Sequence, residues 1–431
     1  EKLPDPLVLS LVDALQIGAR NSREYQSAKE AVFTTALDLD LSRAEFRNSY
    51  SSLLSSLFTG DNTGDETEEK VENSFSLGVA KKFKTGATLS AKLGLDLVKL
   101  LTMDKSSTFG ISADATVIIP LLKGAGRDIA REPLTQAERN LIYAIWNFEL
   151  FKESFVIQIV DEYLSILEQA KQIQNAEENY RNISAARQRI QSLAEAGRVP
   201  ETQVNQAMQD ELTASNRVIA AKQAFEQRLD TFKQTLGLPV DARIRLDEEQ
   251  MNEIVDKTIS KIEEGTIIDL SSAINTALEN RLDLKIACDK MEDSARKANL
   301  ARDALKTGMD LKVSGSTRET DTRGGSGEEE TVEMEFGKGN YSAGLDIDIP
   351  LDKTDERNAY RKSIIAVEES IRAMEAKEDD VKKDVRDGFR RLQEAKETFT
   401  IQSQAVKLAE RRVKSTELFV QAGRTEIRDL L

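Results

Sequence analysis

Two periodicities run through this chain, and the junction between them occurs twice. From Ser107, the residues Phe109, Ile111, Ala113, Ala115, Val117 and Ile119 alternate with Gly110, Ser112, Asp114, Thr116 and Ile118. A period of two with one apolar and one mostly polar face predicts a β-strand. At Pro120 the period changes. Residues 127–196 then read as one helix, and the chain turns back at Gly197-Arg198-Val199-Pro200. The same order returns later. Tyr341, Ala343, Leu345, Ile347 and Ile349 alternate with Ser342, Gly344, Asp346 and Asp348; Pro350 follows, then a helix over 354–422, then Gly423-Arg424.

The long helices carry heptads. In the first, Leu141, Phe148, Phe155, Ala176, Ile183 and Ile190 form one seam, with Ile145, Ile159, Ile166, Ile173, Tyr180 and Ala194 beside it. In the second, Ile364, Ile371, Val385, Leu392, Phe399, Val406, Val413 and Val420 share one position, and Val367, Met374, Val381, Ala395 and Ala409 follow. A sustained 3.5-residue spacing predicts coiled-coil packing. At 1.5 Å per residue, the 354–422 helix is about 100 Å long.

The remaining segments fill out two copies of one plan. Residues 7–44 read as a first helix, with Ser10 as N-cap and Asp13 in its first turn. Residues 49–119 form a strand region. Within it, Phe75, Leu77 and Val79, then Leu89, Ala91, Leu93, Leu95 and Leu97, make a hairpin about Thr85-Gly86. Residues 60–70 read as a polar loop between strands. Residues 201–237 are a return helix closed by Gly237 and Pro239. Residues 240–267 are a short charged linker.

A helix over 269–306 then resembles the first. At an offset of 259, Leu11, Ala14, Asn21, Tyr25 and Ala28 fall on Leu270, Ala273, Asn280, Leu284 and Ala287. The chain thus reads as an internal duplication, 1–239 and 268–431. The second copy has a strand region over 309–349, and its return helix is cut short, with about 35 more residues expected by the analogy.

Composition narrows the chemistry. The 431 residues contain no histidine and one cysteine, Cys288. The commonest general base and a thiolate metal site are therefore absent, and no cofactor or metal is expected. A net charge of −15 speaks against nucleic acid, which needs an excess of Lys and Arg. No apolar run approaches the roughly 20 residues of a membrane-spanning helix, but a membrane strand needs only about 9–11 residues of alternation. No basic and apolar leader precedes Glu1, so the expectation is either a cytoplasmic chain or one whose signal peptide has been removed.

An open sheet leaves its edges unpaired, which lipid cannot tolerate. Such a sheet has to close with copies of itself. Two strands per repeat give four per chain, and three copies give twelve. The 71 residues of 49–119 exceed the 41 of 309–349; the surplus hairpin at 75–97 either lengthens the barrel, lies outside the membrane or adds strands, and four barrel strands per chain is the favoured count.

The arrangement resembles the TolC-like outer membrane efflux proteins. The stretches that carry the resemblance are Leu9-Ser-Leu-Val-Asp-Ala-Leu, Ile119-Pro-Leu-Leu-Lys-Gly-Ala-Gly-Arg, Ala196-Gly-Arg-Val and Leu236-Gly-Leu-Pro, in that order and spacing. The resemblance implies a mainly α fold with β: a coiled-coil α-helical barrel in the periplasm, continuous with a trimeric transmembrane β-barrel in the outer membrane. It implies a homotrimer that serves as the exit duct of a tripartite efflux pump or type I secretion system. The partners would be a periplasmic adaptor protein, an inner-membrane transporter and outer-membrane lipid. It implies a passive conduit rather than an enzyme, gated at the helix tips.

Position by position, the resemblance places Asp429 at the family's tip aspartate. The equivalent in the first repeat is Gln203, which would thin the acidic ring. The tips Gly197, Arg198, Val199 and Gly423, Arg424, Thr425 match adaptor contacts. Pro120 and Pro350 mark the passage from strand to helix. Asp114, Asp346 and Asp348, opposite the apolar face, would line the lumen. The alternative is a non-conducting coiled-coil scaffold or spacer in the periplasm.

Two further stretches compete with blander readings. Lys123-Gly-Ala-Gly-Arg127 joins a strand to a helix but lacks the rest of a nucleotide-binding fingerprint. Glu328-Glu329-Glu330 reads as a solvated loop rather than a cation site.

Overall fold

The computed structural model describes residues 7–61, 68–100, 107–247, 269–322 and 337–421. Two compact units divide the chain: residues 1–31, 146–283 and 378–431 form one, and residues 32–145 and 284–377 the other. Each unit takes in segments from both halves of the sequence.

The first unit is built around a core on α3 (Arg127–Glu195) and α4 (Glu201–Thr235). Phe155, Ile159, Tyr163, Ile166 and Leu167 of α3 are buried against Leu229, Phe232 and Leu236. Phe155, Ile159 and Ile166 belong to the predicted seam. Two short strands, β1 (Leu7–Leu9) and β6 (Ile244–Leu246), pair in parallel and close this core with Leu9, Ile244 and Leu246. Tyr163 ties them down: its hydroxyl donates to the carbonyls of Leu9 at 3.2 Å and Asp247 at 3.3 Å. The expected linker over 240–267 therefore contributes a strand; its residues 248–268 lie outside the described residues.

The first helix differs from expectation. Residues 7–9 are strand β1, and the helix divides into α1 (Leu11–Asn21) and α2 (Arg23–Ala44). Ser10 does cap α1. Its hydroxyl accepts from the Asp13 amide, and the Asp13 carboxylate accepts from the Ser10 amide, a reciprocal capping box. The Ser10 bonds hold the Asp13 carboxyl below the usual carboxylate range.

The division falls at Ser22, which takes φ −60° and ψ 128°. The 269–306 helix is likewise divided, into α5 (Leu270–Asn280) and α6 (Leu282–Ala304), at Arg281 with φ −63° and ψ 121°. These two breaks are 259 residues apart, the same offset that aligns Asn21 with Asn280. Neither break contains Gly or Pro, so the sequence pattern alone predicts one helix through each.

Packing accounts for the first break. Gly237 follows α4 with φ +71°, and a Cβ there would lie 2.1 Å from the carbonyl oxygen of Asn21. The end of α4 thus abuts the break backbone to backbone. It is closed by Gly237 N–H to Gln234 and Leu238 N–H to Lys233 bonds at 3.0 and 2.8 Å, the paired pattern of a Schellman cap. Gly18 of α1 is nearly as tight, with Ile159 Cδ1 2.7 Å from an added Cβ.

The second unit carries the sheet. Its strands are β2 (Asn48–Asp61), β3 (Glu68–Lys82), β4 (Thr88–Leu100), β5 (Ser107–Pro120), β7 (Gly308–Thr322) and β8 (Asn340–Asp348). They form one sheet in the order β2-β3-β4-β5-β7-β8, antiparallel throughout. The sheet has six strands: the hairpin at 75–97 supplies β3 and β4, paired between β2 and β5. The polar loop expected over 60–70 is shorter, because β2 runs to Asp61 and β3 starts at Glu68. The last helix, α7 (Thr354–Gln421), begins where expected.

Replacing Gly237 by Ala is expected to destabilise the protein by about 3 kcal/mol, from the backbone clash plus a left-handed φ. Gly197→Ala, where an added Cβ meets nothing within 4 Å, should cost about 1–2 kcal/mol from φ alone. Denaturant midpoints of the two variants check the order.

Candidate channel wall and helix tips

The register of the sheet sorts its side chains cleanly. Opposite residues on neighbouring strands share a face. One shared row runs Tyr50, Val79, Ala91, Ala115, Gly315, Tyr341; the row on one side of it includes Leu77, Leu93 and Ala113, and that on the other includes Leu89, Val117, Val313 and Ala343. The opposite face carries Ser51, Gly78, Lys92, Asp114, Ser316 and Asn340 in one row. Two polar contacts cross it: the Ser55 and Ser74 hydroxyls meet at 2.6 Å, as do those of Ser314 and Ser342. Leu53 and Leu57 on β2 are exceptions to the polar rule.

The apolar face is exposed to a degree that water alone does not favour. Tyr50, Leu54, Phe58, Leu93, Tyr341, Leu345 and Ile347 are all exposed. In the single chain this face borders a cleft of about 620 Å³ that reaches from Tyr50 on one edge strand to Tyr341 on the other. Near its centre the row narrows to Ala91, Ala115 and Gly315, and the Tyr341 ring lies 3.2 Å from where a Gly315 Cβ would be.

Asp114, Asp346 and Asp348 sit on the polar face, exposed. Their surroundings differ. Asp114 stands opposite Lys92. Asp346 stands opposite Asp310, and Asp348 opposite Gly308, at the end of the sheet that meets the helices. Asp96, deeper in the sheet, pairs with Arg318 at 3.3 Å. Acidic charge on this face is thus balanced by Lys92 and Arg318 in the middle, while Asp310, Asp346 and Asp348 outnumber Lys312 at the helix end.

Pro120 is the last residue of β5, and Pro350 lies between β8 and α7. The loop after Pro120 turns through Gly124 at φ +77° and Gly126 at φ +104°. The Gly124 amide donates to Asp303 Oδ2 at 2.7 Å, and Asp303 is buried. The backbone donor that a phosphate would use is therefore taken by this chain's own carboxylate. The tight β3–β4 turn is seated at the same place. A Cβ on Gly86 would meet the Gly124 carbonyl at 2.7 Å and Pro120 Cγ at 3.0 Å.

The tip between α3 and α4 is exposed. Gly197 takes φ +70°, and its amide and that of Arg198 cap α3 on Ala194 and Leu193 at 2.9 and 2.8 Å. Arg198 is exposed and Val199 half-buried. Pro200 caps α4 by its backbone, and Gln203 stands exposed in the first turn. The second tip, with Gly423, Arg424, Thr425 and Asp429, lies outside the described residues, as does Glu328-Glu329-Glu330.

One constellation was not singled out from the sequence. Asp293 of α6, 3% exposed, accepts from the Tyr143 hydroxyl at 2.8 Å and from Gln136 Nε2 at 3.0 Å. It also forms ion pairs with Arg139 at 3.3 Å and Arg296 at 2.9 Å. Arg296 in turn meets buried Glu132 at 3.1 Å. Burial pushes the Tyr143 hydroxyl up to about 12. This cluster clamps the start of α3 to α6, joining the two halves of the sequence. Its trace was available: Glu132, Gln136, Arg139 and Tyr143 recur at helical spacing, as do Asp289, Asp293 and Arg296.

Along α7, the seam residues Leu392, Phe399, Val406 and Val413 are exposed, while Val381 is buried. Among the described residues, no helix is long and apolar enough to cross a membrane; that says nothing of strands.

A sheet with one exposed apolar face, joined by short bends to very long helices, defines a class: the fold is that of outer-membrane channels. The chain superposes on the outer-membrane channel OprN with a TM-score of 0.66 at 13% identity, covering 97% of this chain and 82% of that one. For the outer membrane protein VceC from Vibrio cholerae the values are 0.66 and 11%, covering 97% and 88%. For the open state of the Neisseria gonorrhoeae MtrE outer membrane channel they are 0.60 and 12%, covering 97% and 81%. No curated protein matches the chain.

Residues 273–431 match the family model described as outer membrane efflux protein. The resemblance to the TolC-like outer membrane efflux proteins is thereby borne out. The stretches quoted for it lay mostly in the first half, whereas the family model matches the second.

Asp293→Ala removes the buried acceptor of Tyr143 and Gln136, while Arg139 keeps Glu292 and Arg296 keeps Glu132, and is expected to cost about 2–3 kcal/mol. Tyr143→Phe removes one hydrogen bond and should cost about 1 kcal/mol. Thermal unfolding of the two variants tests this ranking.

Proposed function

We propose that this chain is the outer-membrane channel of an efflux or secretion assembly. Three copies close their sheets into a transmembrane barrel and their long helices into a periplasmic one. The observation that carries this reading is the sheet itself. Its apolar side chains are exposed across all strands, in register, and the opposite face is polar. Closure turns the apolar face to lipid and the polar face, with Asp114, Asp346 and Asp348, to a water-filled lumen. The exposed α7 seam is the corresponding unpaired surface in the helical part.

The conduit is passive. Its partners are an adaptor protein, met at the tips around Gly197-Arg198-Val199 and Gly423-Arg424-Thr425, and an inner-membrane transporter. Gln203 and Asp429 stand at the gate, which opens when the coiled helices repack. The two halves of the chain are an internal duplication, supported by the equivalent breaks at Ser22 and Arg281. Pro120 and Pro350 mark the passage from membrane to periplasm. A spacer without a pore has no use for a continuous apolar sheet face, which weighs against that alternative.

Detergent-extracted protein is expected to run at three times the chain mass and to give discrete conductance steps in planar bilayers. A detergent-free soluble monomer that never conducts would sink the channel reading.

The charge pattern predicts its selectivity. Asp346→Asn should reduce cation preference, read as a shift in reversal potential under a salt gradient. Asp114→Asn, opposite Lys92, should shift it less.

A further inference from the structure

The surplus hairpin is a part of the sheet; β4 matches β5 along its whole apolar band, and β3 matches over the central levels, with Lys81 opposite Leu89 and Asn73 opposite Leu97 at the ends. On β4, Leu89, Ala91, Leu93, Leu95 and Leu97 stand opposite Val117, Ala115, Ala113, Ile111 and Phe109 of β5. On β3, Val79, Leu77 and Phe75 stand opposite Ala91, Leu93 and Leu95. Lipid that receives the apolar face of β5 therefore receives β3 and β4 at the same level. A hairpin placed outside the membrane would hold this band in water instead.

The span fits. Leu89 to Leu97 covers nine residues of alternation, which at about 3.4 Å per residue and the usual tilt crosses roughly 20–25 Å. That is the height of the apolar band of an outer-membrane barrel, about 25 Å.

Loop lengths give an independent argument. The β3–β4 turn is short and seated on Pro120 and Gly124, at the helix end of the sheet. The other three hairpin connections, residues 62–67, 101–106 and 323–339, all leave from the opposite end. Short turns on the periplasmic side and longer loops outside are the pattern of membrane barrels. The extra hairpin obeys it.

We infer that each copy contributes six strands to the barrel, and that three copies form an eighteen-stranded barrel closed by pairing β8 of one copy with β2 of the next. The occupant of each free edge is a second copy of this chain. An even strand count makes β2 and β8 run in opposite directions, so copies joined edge to edge continue the antiparallel ladder. Both edges carry the apolar face to their last strand, through Tyr50, Leu54 and Phe58 on β2 and Tyr341, Leu345 and Ile347 on β8. Eighteen strands give a backbone diameter of about 36 Å, against about 24 Å for twelve at equal tilt.

The inference rests on the channel reading, and the test separates the two. In a Cys288→Ser background, single cysteines at Leu93→Cys on β4 and Leu345→Cys on β8 receive a fluorescent label. The assembled protein is placed in vesicles of phosphatidylcholine with brominated acyl chains, which quench only lipid-facing labels. Phe75→Cys repeats the measurement on β3. All three positions are exposed, so the substitutions remove no core. Comparable quenching at all three, with a native mass of three chains, is the expected result. Quenching at Leu345 but not at Leu93 or Phe75 would place the hairpin outside the membrane and overturn the inference while leaving the channel reading intact. A copy number other than three would overturn the count of eighteen. No quenching at any position would remove the channel reading together with the inference.

Discussion

A sheet with one largely apolar face and two unpaired edges is unfinished in water. Its backbone groups at the edges need partners, and its apolar face needs something other than solvent. Here β2 and β8 are those edges, and the face between them runs without interruption from Tyr50 to Tyr341. The proposed assembly with copies in lipid would remove both problems, because a closed antiparallel barrel has no edge at all. In the proposed assembly the polar face, the tight turn on Pro120 and the direct run of β5 and β8 into long helices all fit that closure.

The helical part faces the same problem in another form. In the first unit, a buried seam on α3 meets α4, and the small β1–β6 pair seals it through Leu9, Ile244, Leu246 and Tyr163. Beyond Val381, Leu392, Phe399, Val406 and Val413 of α7 stand exposed among the described residues. A heptad stripe left open at that length is a surface for another helix.

Polar chemistry in this molecule serves architecture. Asp293 gathers Arg139, Arg296, Tyr143 and Gln136, and a buried carboxylate with two cations is costly to break. It ties α3 to α6 next to the strand-to-helix bend. Asp303 holds the Gly124 amide at that bend. The loop that could be taken for a phosphate cradle is thus occupied from within, and the segment acts as a joint.

The sequence by itself determined what depends on local periodicity. Alternation through 109–119 and 341–349 placed β5 and β8. Heptads placed α3 and α7. Gly197 and Gly237 marked the helix ends, and Ser10 with Asp13 the start of α1. Asp114, Asp346 and Asp348 were read correctly as lying opposite the apolar face, because strand parity alone decides that. What only the tertiary structure decided are the features made between distant segments. The breaks at Ser22 and Arg281 contain no Gly or Pro; the first exists where the end of α4 presses Gly237 against Asn21. The hairpin at 75–97 had its turn and its faces in the sequence, but only pairing with β2 and β5 made it the centre of a six-stranded sheet. The Asp293 cluster joins residues about 150 positions apart, and no local pattern records which partner a buried charge will find.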